Sequence, residues 1–494
     1  MTSLISSFID GAQIVASSGD SRPVVSPRNA KVLRLMSYAS DQQVSECIES
    51  AERGFKVWNT TPAVKRAEVL FKFYHLLDRH RAELAQLISE EHGKLFNDAM
   101  GEVARGIEVV QYACGAPSLL KGEFSENVGR EIDSYSIRQA IGVVVGITPF
   151  NFPAMVPMWM FPIALACGNS FILKPSEKVP TTALRIAELL TEAGCPDGVF
   201  NVLLGEKDVV DRLLNSPKVH AISFVGSTPV AKHIYTTGTA LGKRVQALGG
   251  AKNHMIVMPD TDIIEVKDAL MGAAYGSAGE RCMAISVAVV VGDQAADQLT
   301  SLLIKSVQKL QIGTQADDDM GPLISAEHRA RVVSYIESGI DDGAALLVDG
   351  RDREFTGDGY LIGGSLFDHV SADMKIYRDE IFGPVLCVCR VGTYEQALEM
   401  INEHEFGNGA VIYTASGALA RHFSNNVKAG MVGVNVPIPV PPAYHSFGGW
   451  KVSLFGDHHV HGPEGIRFYT KLKVVTSRWK AVDRQKQFAM PTYN

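Results

Sequence analysis

The strongest constraint on the fold is a stretch without a single charged side chain, which runs from position 139 to position 173. Its length would suit a membrane-spanning helix. Four prolines and Asn151 interrupt it, however, and proline breaks the hydrogen-bond ladder of a helix. We therefore predict a buried strand at 141–147, a proline-rich turn at 148–153 and a packed helix at about 154–166.

Further apolar runs of strand length follow at similar intervals, at positions 170–174, 199–204, 221–225 and 254–258. Helical segments lie between them, around 181–193, 208–215 and 229–240. Alternation of this kind predicts a mostly parallel sheet with helices on both faces. A second series predicts a second α/β domain, with strands at 287–291, 344–348, 385–391, 409–413 and 432–436.

The remaining segments have simpler patterns. Residues 1–40 contain glycine and proline at short intervals, which indicates short strands and turns. Positions 41–119 have the apolar spacing of helices. Residues 121–139 are polar and then alternate, which predicts a projecting hairpin. Positions 466–475 form another alternating segment before a polar tail.

The composition narrows the class of protein. The chain has 494 residues, enough for two or more domains, and its 46% hydrophobic and 20% charged residues are typical of a globular protein. A formal charge of −7 argues against broad nucleic-acid binding. Seven scattered cysteines suit free thiols in a reducing compartment. Because the first residues lack the pattern of a signal or transit peptide, we expect a cytoplasmic location.

Cys282 is the candidate nucleophile. It lies in a segment rich in glycine, alanine and serine, directly after Glu280 and Arg281. Small residues allow a ligand to approach the backbone, and a neighbouring guanidinium favours the reactive thiolate. Most free cysteines are buried structural residues, so that alternative stays open from these residues alone.

Two features indicate a nucleotide site, although the chain contains no G-x-G-x-x-G motif. Lys174 and Glu177 follow a predicted strand, at the edge of the sheet where α/β proteins bind ligands. The sequence Phe-Val-Gly-Ser-Thr at 224–228 ends another strand and opens a helix, whose amides suit a pyrophosphate. We expect the two strands to be neighbours.

Taken together, the motifs resemble those of the aldehyde dehydrogenase family, in the same order and over nearly the whole chain. They are PFNFP at 149–153, KPSE at 174–177, FVGST at 224–228, LGGAKNH at 248–254, GERC at 279–282 and EIFGPV at 380–385. The run at 151–164, with AKNH and GERCMA, further resembles the CoA-acylating methylmalonate-semialdehyde dehydrogenases.

This resemblance implies two doubly wound α/β domains with a small β oligomerisation element. The implied divisions are an atypical Rossmann-like NAD-binding domain at 1–117 and 141–248, a catalytic domain at 249–445, an oligomerisation element at 118–140 and 466–494, and a return segment to the NAD-binding domain at 446–465. It also implies a homodimer or homotetramer.

The same resemblance assigns roles to individual residues. Cys282 would attack the aldehyde, and the Asn151 side-chain amide with the Cys282 backbone N–H would hold the oxyanion. Hydride transfer would leave a thioester on Cys282. Glu177 favours NAD, since a 2′-phosphate beside it would meet like charge. The expected cofactor-binding residues are Phe150, Lys174, Glu177, Ser227, Glu380 and Phe382.

One departure from the family is informative. Hydrolytic members carry a glutamate directly before LGG, whereas Ala247 stands there and cannot act as a base. A thioester that water attacks poorly is available to the thiol of CoA. We therefore expect NAD-dependent, CoA-acylating oxidation of methylmalonate or malonate semialdehyde to propionyl-CoA or acetyl-CoA, with release of CO2. A hydrolytic aldehyde dehydrogenase with another base is the alternative, and a non-catalytic structural relative is less favoured.

Substrates of this kind carry a carboxylate and need a cation. We expect Arg281, which directly precedes Cys282, and Arg105, on a predicted helix that the family resemblance places beside the substrate, to bind it. From its position on a helix alone, Arg105 would be a solvated surface residue. No metal is expected: the histidines at 458–461 lack zinc-site spacing, which favours a solvated loop. Cys387 and Cys389 alternate on an apolar strand, which favours core positions.

Overall fold

The computed structural model describes residues 3–15 and 21–479. Their strands are β1 (Ser3–Ile5), β2 (Ser7–Ile9), β3 (Ala12–Ile14), β4 (Ser21–Val25), β5 (Val32–Ser37), β6 (Phe124–Gly129), β7 (Ile132–Ala140), β8 (Val143–Ile147), β9 (Ser170–Lys174), β10 (Phe200–Val202), β11 (Val219–Val225), β12 (Arg244–Leu248), β13 (Asn253–Val257), β14 (Ile285–Val291), β15 (Ala345–Val348), β16 (Ser365–Asp368), β17 (Val385–Val391), β18 (Phe406–Gly407), β19 (Gly409–Tyr413), β20 (Met431–Val434), β21 (Trp450–Lys451), β22 (Leu454–Phe455) and β23 (Thr470–Arg478).

Helices connect most of these strands. They are α1 (Asp41–Thr60), α2 (Ala63–Arg79), α3 (Arg81–His92), α4 (Phe96–Ala113), α5 (Ala116–Leu119), α6 (Met155–Ala166), α7 (Thr181–Glu192), α8 (Lys207–Asn215), α9 (Thr228–Ala240), α10 (Ile263–Tyr275), α11 (Asp293–Lys309), α12 (Ala326–Asp341), α13 (Lys375–Arg378), α14 (Tyr394–Glu403), α15 (Gly417–Asn426) and α16 (Gly462–Phe468), with 3-10 turns at Gly276–Gly279 and Gly350–Asp352.

The first large sheet, within the described residues, has the strand order β22-β12-β11-β8-β9-β10-β2-β3. The run from β12 to β10 is parallel, and the outer strands β22, β2 and β3 join antiparallel. The sequence predicted this sheet but missed β12, because Arg244 and Gln246 break its apolar run. The two nucleotide motifs do not follow neighbouring strands as expected, since β8 lies between β9 and β11.

The second large sheet has the order β15-β16-β17-β14-β13-β19-β20 among the described residues, and only the β15–β16 pair is antiparallel. The prediction that 254–258 continues the first sheet is wrong, because β13 pairs with β14 and β19 at the centre of the second. Two sheets built by alternating strands and helices confirm the α/β prediction.

The hairpin β6–β7 and the terminal strand β23 form a separate antiparallel sheet, with β7 in the middle. The alternating segment predicted at 466–475 is wrong at its start. Residues Gly462–Phe468 are the helix α16, which begins with Pro463 in its first turn, and the strand follows at Thr470. Residues 480–494 of the predicted oligomerisation element lie outside the described residues.

The uncharged stretch forms a strand, a turn and a helix, as predicted. Every residue of α6 is buried, because the helix packs between α4 and the first sheet. None of the helices in the described part of the chain is long and apolar enough to cross a membrane. The turn between β8 and α6 carries Phe150 and Asn151, so this buried unit holds the candidate site in place.

Candidate active site

Cys282 lies on a bent loop between α10 and β14. The backbone just before it is strained: Ser277 has φ 49° and Ala278 has φ 53°, in a region that costs a non-glycine residue about 1–3 kcal/mol. A side chain at Gly279 would also fail to fit, because its Cβ would stand 2.3 Å from the Gly383 carbonyl oxygen. Such strain clusters at functional sites because the surrounding structure has to hold it.

Two amides hold the Cys282 backbone. The side chains of Asn253 and Asn408 each donate a 2.9 Å hydrogen bond from Nδ2 to the Cys282 carbonyl oxygen. Burial raises the pKa of the Cys282 thiol to about 12, Glu380 raises it further, and Lys94 lowers it. The thiol is therefore protonated at neutral pH in the protein without ligands.

The expectation that Arg281 favours the thiolate is wrong for this structure. Its guanidinium binds Asp98 and the start of the loop, with Nη2 3.1 Å from Asp98 Oδ2 and Nε donating to Ser277 Oγ at 3.3 Å. Asp98 lies in the first turn of α4. Adjacency in sequence does not place the charge at the sulfur, because the long side chain finds a carboxylate elsewhere.

The structure brings Asn151 to the nucleophile loop. Its Nδ2 donates a 3.0 Å hydrogen bond to the carbonyl oxygen of Glu280, two residues before Cys282. Asn151 is buried, and its backbone carbonyl oxygen accepts a 2.7 Å hydrogen bond from Lys94 Nζ. The side-chain amide is thus a fixed donor in contact with the loop that carries the thiol.

Glu280 is a further buried group that the sequence reading passed over. Its Oε1 accepts a 3.1 Å hydrogen bond from the Ile324 backbone, and His92 and His328 lie 3.7 and 3.5 Å from its two oxygens. Burial raises the pKa of Glu280 to about 8, so the carboxyl is mostly protonated at neutral pH. The sequence signal for a role of Glu280 is its position just before Arg281 and Cys282.

Two phenyl rings line the space beside this loop. Phe150 and Phe382 meet edge to face, with ring centroids 5.9 Å apart. Phe382 has φ 58°, a left-handed conformation, and its carbonyl oxygen lies 2.7 Å from His328 Nε2. The His92 ring stacks on Phe150, with ring centroids 6.0 Å apart. Apolar rings held in this way suit the flat face of an aromatic ligand.

The polar cofactor candidates lie at the carboxyl edge of the first sheet. Lys174 ends β9 and its Nζ is 3.3 Å from Glu177 Oε2, with the lysine buried and the glutamate half-buried. Ser227 directly precedes α9 and makes no capping bond with its side chain, so the first amides of that helix lack a side-chain partner there. Glu177 also lines a cavity of about 460 Å³ together with Lys178 and Glu206.

Glu380 reaches the loop after β12. Its Oε1 accepts a 2.9 Å hydrogen bond from the Ala251 backbone, and Lys252 Nζ holds the carbonyl oxygens of Ile376 and Asp379 at 2.6 and 2.8 Å. Burial raises the pKa of Glu380 to about 7. Glu380 lines the same small cavity as Gly279 and Arg281, on the loop of Cys282, and its charge raises the pKa of the thiol.

Arg105 lies on α4, seven residues after Asp98, so both positions share one face of the helix. Its Nη1 pairs with Glu108, and its Nη2 donates a 2.9 Å hydrogen bond to the Pro441 carbonyl oxygen. Glu108 in turn accepts from the Ala443 backbone at 3.0 Å. Arg105 therefore lies on this face of α4, and Arg281 is bound to the same face through Asp98.

The histidine segment differs from the solvated loop that was expected. His461 is buried and packs its ring against Trp159 at 5.7 Å, while His458 pairs with Glu464 at 2.8 Å. No group of three or more metal-ligating side chains occurs in the described ranges. Cys387 and Cys389 are buried on β17, as predicted for core residues.

Comparisons with a family model, with curated relatives and with solved structures all point to the aldehyde dehydrogenase family. The model of the aldehyde dehydrogenase family matches residues 14–475. A malonate-semialdehyde dehydrogenase of Pseudomonas aeruginosa is 56% identical over 97% of this chain and 98% of its own, and malonate-semialdehyde dehydrogenase 1 of Oceanobacillus iheyensis is 48% identical over 97% and 99%.

Solved structures agree. The methylmalonate-semialdehyde dehydrogenase of Oceanimonas doudoroffii superposes with a TM-score of 0.96 at 53% identity, over 98% of this chain and 99% of its own. A Sinorhizobium meliloti protein crystallised with NAD superposes with a TM-score of 0.96 at 51% identity, over the same shares. The chain belongs to the aldehyde dehydrogenase family.

Proposed function

We propose that the chain is an NAD-dependent, CoA-acylating dehydrogenase of malonate or methylmalonate semialdehyde. The observation that carries the proposal is the contact between the Asn151 amide and the loop of Cys282, in a chain with alanine at position 247. Relatives with this activity in their names match over nearly the full length of the chain.

The residues present fit NAD. The Lys174–Glu177 pair offers a cation and an acid for ribose hydroxyls, and the uncapped start of α9 offers amides for a pyrophosphate. Phe150, Phe382 and Glu380 offer rings and a carboxylate on the side of the thiol. When bound, NAD supplies the acceptor for the hydride that leaves the substrate.

Cys282 and Asn151 carry out different parts of the reaction. Cys282 Sγ, once it has lost its proton, attacks the aldehyde carbon to form a thiohemiacetal. The Asn151 amide and the Cys282 backbone N–H hold the oxyanion, where a fixed donor is worth most because no reorganisation is needed. After oxidation, Cys282 carries the thioester.

Ala247 determines what happens to that thioester in our proposal. The residue is buried on β12, between Phe224 and Phe455 of the neighbouring strands, and holds no proton acceptor. Water near it is not activated, so the CoA thiol takes the acyl group. Loss of the substrate carboxylate as CO2 gives acetyl-CoA from malonate semialdehyde or propionyl-CoA from its methyl derivative.

Arg281 and Arg105 are the proposed ligands of the substrate carboxylate. The chemical support is that a guanidinium can bind both oxygens of a carboxylate. The structural support is that Arg105 lies on the face of α4 that also carries Asp98, the partner of Arg281. Arg281 already binds a carboxylate, that of Asp98, which the substrate has to displace.

We also propose the division into an NAD-binding domain, a catalytic domain and an oligomerisation element with the bounds given above. Pairing of β22 with β12 supports the return of 446–465 to the first domain. Exposed Phe124, Leu472 and Val474 on the three-stranded sheet support its use in a homodimer or homotetramer. A cytoplasmic location stays a prediction.

The decisive experiment measures NADH formation from malonate semialdehyde with and without CoA. We expect a burst near one equivalent per site without CoA, and a steady rate with acetyl-CoA as product when CoA is added. Equal steady rates in both cases would overturn the proposal. They would favour hydrolysis, for which Glu380, with its pKa near 7, is the candidate base.

A further inference from the structure

A buried ion pair clamps the turn that presents Asn151. Lys94 lies in the short connection between α3 and α4, and Glu102 lies on α4; their side chains are 1% and 0% exposed. Lys94 Nζ is 2.7 Å from Glu102 Oε2 and donates a second hydrogen bond of 2.7 Å to the Asn151 carbonyl oxygen. It also lies 4.0 Å from the ring centroid of Phe152.

Glu102 completes the clamp with its other oxygen. Oε1 accepts hydrogen bonds from the backbone amides of Ala154 at 2.8 Å and Met155 at 3.2 Å, at the start of α6. A carboxylate is well placed there, since the helix N-terminus carries partial positive charge. The pair therefore binds the turn in its middle, at Asn151, and at its junction with α6, 57 and 52 residues away along the chain.

Glu102 faces the start of α6, whereas Lys94 reaches the nucleophile loop through Asn151, whose side chain donates to the Glu280 carbonyl oxygen two residues before Cys282. The positive charge of Lys94 lowers the pKa of Cys282, of Glu280 and of His92. For Cys282 it opposes Glu380, which lies in the same site with the opposite charge. A buried cation has a long reach because the interior screens it weakly.

We propose that Lys94 is a positioning residue of the reaction, which fixes the Asn151 turn through its carbonyl and supplies the positive charge that stabilises the anion at Cys282. The inference rests on the proposed function, since it gives Lys94 a part in that chemistry. Glu102 orients the ammonium and carries the opposing negative charge.

The test follows alkylation of Cys282 by iodoacetamide against pH, with Cys282→Ala as the blank. Lys94→Met keeps the stem and removes the charge, so alkylation at pH 8 should slow about three- to tenfold, equivalent to a rise of about 0.5–1 in the thiol pKa. Glu102→Gln removes the opposing charge and should accelerate it. Opposite signs support the proposal.

A merely structural role would slow or accelerate alkylation in both variants alike, and that result would overturn the inference. Lys243→Met is the matched control, because Lys243 is also buried and donates to backbone carbonyls, those of Ser216 and Val219, outside the site. It should leave the pH profile unchanged. If Lys94→Met fails to fold, Glu102→Gln decides alone: unchanged or slower alkylation contradicts the charge effect.

No substrate or CoA enters this assay. A chain that lacked the proposed dehydrogenase activity would still report the influence of Lys94 on the thiol, so the two proposals fail separately. As a second readout, Lys94→Met should lower kcat at least tenfold while KM for NAD stays within about twofold, because Lys94 acts on the turn and the thiol and not on the ribose contacts.

Discussion

Arg281 is bound to a carboxylate of the chain, that of Asp98, before any substrate arrives. Variants of these two residues should therefore have opposite effects on substrate binding. The side chains of Arg281 and Asp98 are 21% and 32% exposed, and their contact distance is 3.1 Å. A partly exposed ion pair contributes only about 0.2–1 kcal/mol. A hydrogen bond to a charged group contributes about 1.5–3 kcal/mol, which is more, so we expect a substrate carboxylate to displace Asp98.

We expect Arg281→Leu to lower kcat/KM for malonate semialdehyde about 10–150-fold, the equivalent of 1.5–3 kcal/mol. Propionaldehyde, which has no carboxylate, should lose little. Asp98→Asn should act in the opposite direction, because it removes the competing charge. Its KM for malonate semialdehyde should fall by up to about fivefold, the equivalent of 1 kcal/mol.

The assay is the initial rate of NADH formation at saturating NAD and CoA, for both aldehydes. Arg53→Leu is the control, since Arg53 forms an exposed ion pair with Asp10 outside the site. Asp98 also accepts from Ser277 Oγ at 2.9 Å, so thermal unfolding of Asp98→Asn reports any loss in the strained loop. Equal losses for both aldehydes in Arg281→Leu would refute the assignment of Arg281 to substrate.

Four further outcomes are expected. Cys282→Ala should abolish NADH formation while NAD still binds by calorimetry; normal turnover would end the mechanism. Asn151→Ala should lower kcat by about 10²–10³, the cost of one oxyanion donor, and an effect on KM alone would contradict that role. Arg105→Leu should impair malonate semialdehyde far more than propionaldehyde in the same rate assay. Because burial raises the pKa of Glu280 from 4.5 to about 8, its contribution to stability is present below pH 4.5 and is lost as the pH rises towards 8. Glu280→Gln should therefore gain thermal stability relative to the parent between pH 5 and pH 8, and a constant difference would count against the raised pKa.

Local sequence was sufficient for the strands whose apolar runs lie between clear breakers. The bounds predicted for β9, β17 and β19 are those of the structure. It failed where polar residues interrupt a strand, as in β12, and where an alternating segment begins inside a short helix, as at α16. Apolar spacing is a local property. It indicates which residues are buried, but it is a weaker guide to whether those residues form a helix or a strand.

Apolar spacing could not choose the partner strand, although the domain division implied by the family resemblance starts the catalytic domain at 249, before β13. The run that became β13 looks like any other buried strand, yet it pairs at the centre of the second sheet rather than extending the first. One partner, β14, is the next strand along the chain, whereas the other, β19, follows more than 150 residues later. No pattern within the strand itself encodes that choice.

The candidate site divides in the same way. The resemblance of the motifs to the aldehyde dehydrogenase family assigned roles to Cys282, Asn151 and Ala247 from the sequence, because each stands at a matching motif position with a residue type that can be interpreted chemically. The tertiary structure decided the rest. It turned Arg281 towards Asp98, raised the pKa of the thiol by burial and placed the Lys94–Glu102 pair against the Asn151 turn. Burial and electrostatics sum over neighbours from distant parts of the chain, so only packing can set them.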